Sequence, residues 1–87
     1  MFVLVVYDIN VDRVQKVLKT ARKYLTHIQN SVLEGELTPA QYAKLKHELQ
    51  NIIEPLEDHV RFYVTRTKDN LEIENLGDPK RDTGNFL

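Results

Sequence analysis

The chain has 87 residues, 41% hydrophobic and 29% charged, with a formal net charge of −1 and no cysteine. That length makes one small domain, which buries only about 60% of its unfolded surface and so gains from dimerisation. Without cysteine there is no disulfide framework, thiolate nucleophile or zinc–thiolate centre, and no apolar run approaches the roughly 18 residues of a membrane span, so neither secretion nor a membrane segment is expected and a cytoplasmic location is.

The charge is unevenly spread. Residues 1–33 carry two acids against five bases, a net of +3, whereas residues 34–87 carry 11 acids against 7 bases, a net of −4. Whole-chain charge gives no sign of nucleic-acid binding, but the asymmetry gives a modest one.

In chain order, Phe2 to Asn10 reads first as a central strand, since five apolar residues run unbroken before Tyr7 and Asp8. Residues 11–24 then follow the helical period. Val11, Val14, Val17, Leu18, Ala21 and Leu25 fall on one stripe, and Arg13, Lys16, Lys19, Arg22 and Lys23 cover the rest. Asn10 suits the N-cap, and Asp12 complements the helix dipole in the first turn.

Residues 25–35 change period and suit a strand that Gly35 ends. Thr38 and Pro39 are N-cap and first-turn residues of a second helix over 39–53, with Tyr42, Leu45, Leu49, Ile52 and Ile53 as its apolar stripe and Pro55 as its stop. In residues 58–66, Val60, Phe62 and Val64 alternate with Arg61, Tyr63 and Thr65, the pattern of an antiparallel strand. A turn over 67–70 precedes Leu71, Ile73 and Leu76, which mark another short strand. Residues 77–87 form a tail tipped by Asn85, Phe86 and Leu87. The expected fold is α+β, a ferredoxin-like βαββαβ sandwich over residues 1–76, with both helices on one face of a mixed or antiparallel sheet.

Asp8 is the only acid in the first strand. It can cap the following helix, start a turn, or hold a cation. One carboxylate makes a poor Mg²⁺ site, but two copies brought together at a two-fold axis could share one ion, which would acidify a bound water and stabilise charge at phosphorus. Tyr7, Asn10 and Ser31 are the neighbouring groups that could shape such a site. The basic face of the first helix is either a solvated surface or a patch that tracks phosphates without reading sequence. His27, His47 and His59 are scattered over three elements with no H-x-x-x-H spacing, which argues against a histidine metal site. Three isolated glycines exclude a Gly-rich phosphate loop.

Taken together, Tyr7-Asp8-Ile9, a helix starting near Arg13, the stretch Gln29-Asn30-Ser31-Val32-Leu33-Glu34-Gly35 and the Leu37-Thr38 helix start resemble the small CRISPR-associated adaptation nucleases, the Cas-two family of CRISPR-associated endoribonucleases. The resemblance implies a ferredoxin-like homodimer and a divalent-metal-dependent phosphodiesterase, with Mg²⁺ or Mn²⁺, acting on RNA or double-stranded DNA. It also implies a part in spacer acquisition, bridging dimers of the Cas-one integrase. The family's metal aspartate falls on Asp8, and its basic first-helix residues have counterparts in Arg13 and, more loosely, Lys16. The C-terminal tail would add a strand to the partner's sheet. The short connection from Asn10 to Arg13, and Leu33 where the family often has an aromatic, are departures that bear on substrate and activity. Two other functions compete with a nuclease: a duplex-binding scaffold that cuts nothing, and a regulatory module of the same fold.

Overall fold

The computed structural model describes residues 1–77. Four strands and two helices alternate along the chain: β1 Phe2–Asp8, α1 Val11–Ala21, β2 Thr26–Gln29, β3 Val32–Glu36, α2 Pro39–Gln50 and β4 His59–Thr65. The strands form one sheet in the order β2-β3-β1-β4, with every neighbouring pair antiparallel. This is the ferredoxin-like βαββαβ arrangement.

Both helices are punctuated as their sequences require. The Asn10 side chain accepts the Asp12 N–H at 2.9 Å and opens α1. Thr38 and Gln41 satisfy each other's backbone N–H groups at 3.1 and 2.9 Å, a reciprocal cap with Pro39 in the first turn. Both helices end about three residues before the expected boundaries. Past Ala21 and past Gln50 the bonds shorten to i→i+3 turns, Tyr24 N–H to Ala21 and Ile52 N–H to Leu49, which close the ends before the chain turns back.

Val3, Val5 and Tyr7 of β1 and Leu33 of β3 point toward the helices and pack on Val17, Ala21, Leu45 and Leu49. This is the core, and Val3, Leu33 and Leu45 have no exposed surface. The β1 reading as a central strand holds, since β1 lies between β3 and β4. Its other face, however, is only partly covered, with Leu4 and Val6 half-buried. Val11, assigned to the apolar stripe of α1, is 80% exposed, because the first helical residue projects past the end of the sheet.

Two strand boundaries differ from the sequence reading. The single strand expected over 25–35 is a hairpin, β2 and β3, reversed at Asn30–Ser31 with a bulge between His27 and Gln29. No strand forms at Leu71, Ile73 and Leu76. A short 3₁₀ turn at Lys68–Asn70 redirects the chain, and residues 71–75 line grooves with Leu4, Ile28, Val32 and Glu34 on the open face of the sheet. A segment laid over a face cannot reach the backbone groups of an edge, so its alternating pattern makes no ladder. The tail assigned to the partner's sheet, with Asn85, Phe86 and Leu87, lies almost wholly outside the described residues.

Candidate metal and nucleic-acid site

Strand parity decides where Asp8 points. Val3, Val5 and Tyr7 face the helices, so Phe2, Leu4, Val6 and Asp8 face the other way. Asp8 is exposed, and among the described residues no cation pairs with its carboxylate. Its partner across β4 is His59, also exposed. The next outward-facing pair is Val6 and Arg61, and Arg61 donates to the Tyr63 hydroxyl at 3.4 Å.

The residues that flank Asp8 hold the strand end in place. The Tyr7 hydroxyl donates to the Asn30 carbonyl, and the Tyr7 N–H donates to the Ser31 carbonyl at 3.0 Å, so the β2–β3 turn is tied to the end of β1. Beside Asp8 a groove of about 360 Å³ opens between Val14 and Leu18 of α1 and His27 and Asn30 of the hairpin.

On the other side, the loop after Asp8 is anchored by a carboxylate that sequence reading did not single out. Asp58, whose side chain has no exposed surface, accepts the backbone N–H groups of Asn10 and Glu54, both at 2.8 Å. It also accepts Arg13 Nε at 2.6 Å and Nη2 at 3.1 Å. Arg13 reaches Glu57 at 3.0 Å as well, and the Asn10 amide reaches Glu57 at 3.1 Å. The Arg13 guanidinium and these backbone donors hold the Asp58 carboxyl well below its ordinary range, and the carboxylates raise Arg13 in turn. A hydrogen-bonded, charge-paired buried carboxylate of this kind is costly to disrupt, because Asp58 left without Arg13 is a buried unpaired charge. Only the spacing of Asp58 just ahead of an alternating strand hinted at a structural acid. Its partner lies 45 residues away, beyond the reach of local patterns.

The five basic residues assigned to the first helix therefore divide, and only Arg13, Lys16 and Lys19 lie on it, since Arg22 is its C-cap and Lys23 follows in the turn. Arg13 is committed to Asp58 and Glu57, and Lys23 to Glu48 at 2.6 Å. Arg22 contacts His27 Nδ1 at 2.9 Å. Lys16 and Lys19 are exposed and carry no ion pair among the described residues. They sit one turn apart, on the outward side of α1.

Known proteins resemble this chain over nearly its whole length. The chain is 47% identical to the CRISPR-associated endoribonuclease Cas2 of Methanosarcina acetivorans over 87 residues, covering all of both chains. It is 52% identical over 84 residues to the protein of that name from Thermotoga maritima, covering 97% of each. The crystal structure of Streptococcus pyogenes Cas2 superposes with a TM-score of 0.77 at 37% identity, covering 88% of this chain and 100% of that one. With the family model for CRISPR associated protein Cas2 matching residues 1–73, the chain belongs to the Cas2 family.

Proposed function

We propose that this chain is a homodimeric, divalent-metal-dependent phosphodiesterase that cleaves RNA or double-stranded DNA in the cytoplasm and serves CRISPR spacer acquisition, meeting the Cas-one integrase as its partner. The observation that supports the reading is Asp8, a solvent-facing carboxylate at the end of the central strand with no cation beside it among the described residues. Relatives about half identical to this chain carry the name endoribonuclease.

The donor set fits a hard cation only when doubled. Among the described residues, no three His, Cys, Asp or Glu side chains cluster into a ready-made centre. Mg²⁺ and Mn²⁺ accept one or two carboxylates with the remaining positions held by water. Asp8 lies on the open sheet face, so two protomers that meet through that face bring both Asp8 carboxylates toward one axis. When bound there, such an ion supplies an acidified water and charge stabilisation at phosphorus. The chain's own residues do the positioning. Tyr7 and Asn30 fix the strand end, Asp58 and Arg13 fix the loop behind it, and Lys16 and Lys19 offer two cations to a phosphate backbone. Within the described residues no helix is long and apolar enough to cross a membrane.

Those two lysines also favour a second reading, a non-catalytic scaffold that holds a duplex and bridges integrase dimers. One experiment separates the two. Cleavage of labelled RNA and of duplex DNA is measured with Mg²⁺, with Mn²⁺ and with chelator, for the wild type, Asp8→Ala and the double variant Lys16→Glu/Lys19→Glu. The nuclease reading expects cleavage to vanish in chelator and in Asp8→Ala while duplex affinity persists. The scaffold reading expects no metal-stimulated cleavage, with duplex affinity lost in the lysine variant. Loss of two phosphate contacts lowers the log–log salt slope by about 2. Full cleavage by Asp8→Ala refutes the first reading, and an unchanged salt slope refutes the second.

A further inference from the structure

The open face holds one chemistry-bearing residue that neither the spacing of histidines nor the role given to Asp8 has used. His59 is the Cα partner of Asp8 across the β1–β4 ladder. Val60 and Phe62 turn inward to the core, so His59 faces outward beside Asp8. Directly opposed side chains of an antiparallel pair have Cβ atoms about 4.5–5.5 Å apart. A carboxylate and an imidazole rooted that close can reach a single ion with donor–metal distances of about 2.0–2.2 Å. Both side chains are exposed, and neither carries a hydrogen bond or ion pair among the described residues.

We propose that Asp8 and His59 form a two-donor carboxylate–imidazole site for a borderline divalent transition metal, with Mg²⁺ drawing on the Asp8 carboxylate alone. The inference rests on the metal-dependent reading of Asp8 and narrows it. A hard, all-oxygen ion gains little from an imidazole, whereas later first-row ions bind imidazole well, and affinity for mixed N/O donors rises along that row. The backbone around the pair is held from behind. Asp58 immediately precedes His59, and its carboxylate binds the Asn10 N–H two residues past Asp8, so one buried side chain ties the Asp8 end of β1 to the His59 start of β4. A site built from two strands locked in register needs little reorganisation to bind. If two protomers meet through this face, the second copy adds the same two donors.

The test uses the full-length protein and two metals, Ni²⁺ and Mg²⁺, followed by calorimetry and by NMR of the histidine ring protons, with no nuclease assay. Four proteins are compared: wild type, His59→Gln, Asp8→Asn and His47→Gln. Far-ultraviolet circular dichroism checks that the exposed substitutions leave the fold intact. The expected result is that substoichiometric Ni²⁺ broadens the His59 ring signals before those of His27 and His47. His59→Gln then weakens Ni²⁺ by roughly tenfold or more while leaving Mg²⁺ unchanged. Asp8→Asn weakens both metals, and His47→Gln weakens neither. Wild-type Ni²⁺ affinity in His59→Gln overturns the proposal, as does first broadening at His27 or His47, or the absence of any Ni²⁺ binding. The Mg²⁺ arm reports separately on Asp8. Loss of Mg²⁺ binding in Asp8→Asn with Ni²⁺ indifferent to His59 leaves the carboxylate reading standing and removes this one. Ni²⁺ held through His59 and Asp8 without any Mg²⁺ binding does the reverse.

Discussion

The two faces of one sheet have opposite characters, although the same strands supply both. The helix side carries Val3, Val5, Leu33 and Tyr7, all buried against Val17, Ala21, Leu45 and Leu49. The open side carries Leu4 and Val6 half-buried, Tyr63 at 49% exposure, and Asp8, His59 and Arg61 in solvent. The covered face draws its free energy from apolar burial, which is roughly proportional to area and indifferent to direction. The open face is buried at its Phe2 end, where Phe2 is 2% exposed, and is left free to place charge at its Asp8 end. The difference teaches that fold and chemistry are written on alternate residues of β1. A one-residue slip of register would exchange them, putting Asp8 in the core and Val5 in water.

The sharpest way to break the comparison is to excavate the covered face. Leu45 has no exposed surface and packs between the sheet and α1. Leu45→Ala is expected to cost about 2–5 kcal/mol, from lost transfer free energy and the cavity left behind. Tyr63→Ala on the open face is expected to stay within about 1 kcal/mol at concentrations where the protomer stands alone. Urea unfolding followed by circular dichroism checks both. Equal losses would mean that the open face is as much a core as the covered one, as a tightly packed dimer interface would make it. Repeating the measurement across protein concentrations separates those cases, because only a dimer makes the midpoint concentration-dependent.

The second test concerns the Asp58 clamp that ties the two faces together at one end. Arg13, foremost, and the Asn10 and Glu54 N–H groups hold the folded-state carboxyl of Asp58 below its ordinary value of 3.8. A depressed carboxylate stabilises the folded state fully above its unfolded value, and that contribution fades as the pH falls below it. Wild-type thermal stability is therefore expected to be flat from pH 7 to about pH 5 and to fall steeply below pH 4. Asp58→Asn is expected to be less stable at pH 7 and to lose much of that acid slope, because the amide cannot accept both Arg13 nitrogens and carries no proton-linked charge. Melting curves at pH 7, 5, 4 and 3 for the two proteins decide the matter. An acid slope unchanged in Asp58→Asn would assign acid sensitivity to other carboxylates, Glu48 beside Lys23 first among them.

Most of the architecture was legible because it rests on local signals. Asn10 and Thr38 name their helix starts, the stripes over Val14–Ala21 and Tyr42–Leu49 name the buried faces, and the alternation over Val60–Val64 names β4 and its inward side. Residues 25–35 were harder to read, because Asn30–Ser31 is too short a break to interrupt an apolar pattern, and a tight hairpin reads as one long strand. Leu71 and Ile73 misled for a different reason. Alternation signals that one side of a segment is covered, which is true of a chain lying on a sheet face as well as of a strand within it. At the site, Asp8 was visible as the sole acid of the first strand. The commitments of Arg13 to Asp58 and Lys23 to Glu48 were not, and neither was His59 beside Asp8. Those pairings span 25 to 51 residues and exist only once the sheet order is known.

The smallest expected effect belongs to the covered side's periphery, where stability and chemistry should separate most cleanly. Thr38 caps α2 by accepting the Gln41 N–H at 3.1 Å, while Gln41 returns the bond to the Thr38 N–H at 2.9 Å. Thr38→Ala removes the hydroxyl acceptor but leaves the reciprocal bond from Gln41. The expected cost is about 1 kcal/mol, in the ordinary range for a lost N-cap. It should appear in the urea midpoint with an unchanged denaturant slope, because no surface is added or removed in the native state. Thr38 follows β3 at its far end, whereas Asp8 and His59 lie where β1 ends and β4 begins. Metal affinity and duplex affinity are therefore expected to match the wild type. A change in either would mean that the cap's small strain crosses the sheet, and that the two faces are coupled more tightly than alternate residues on one strand require.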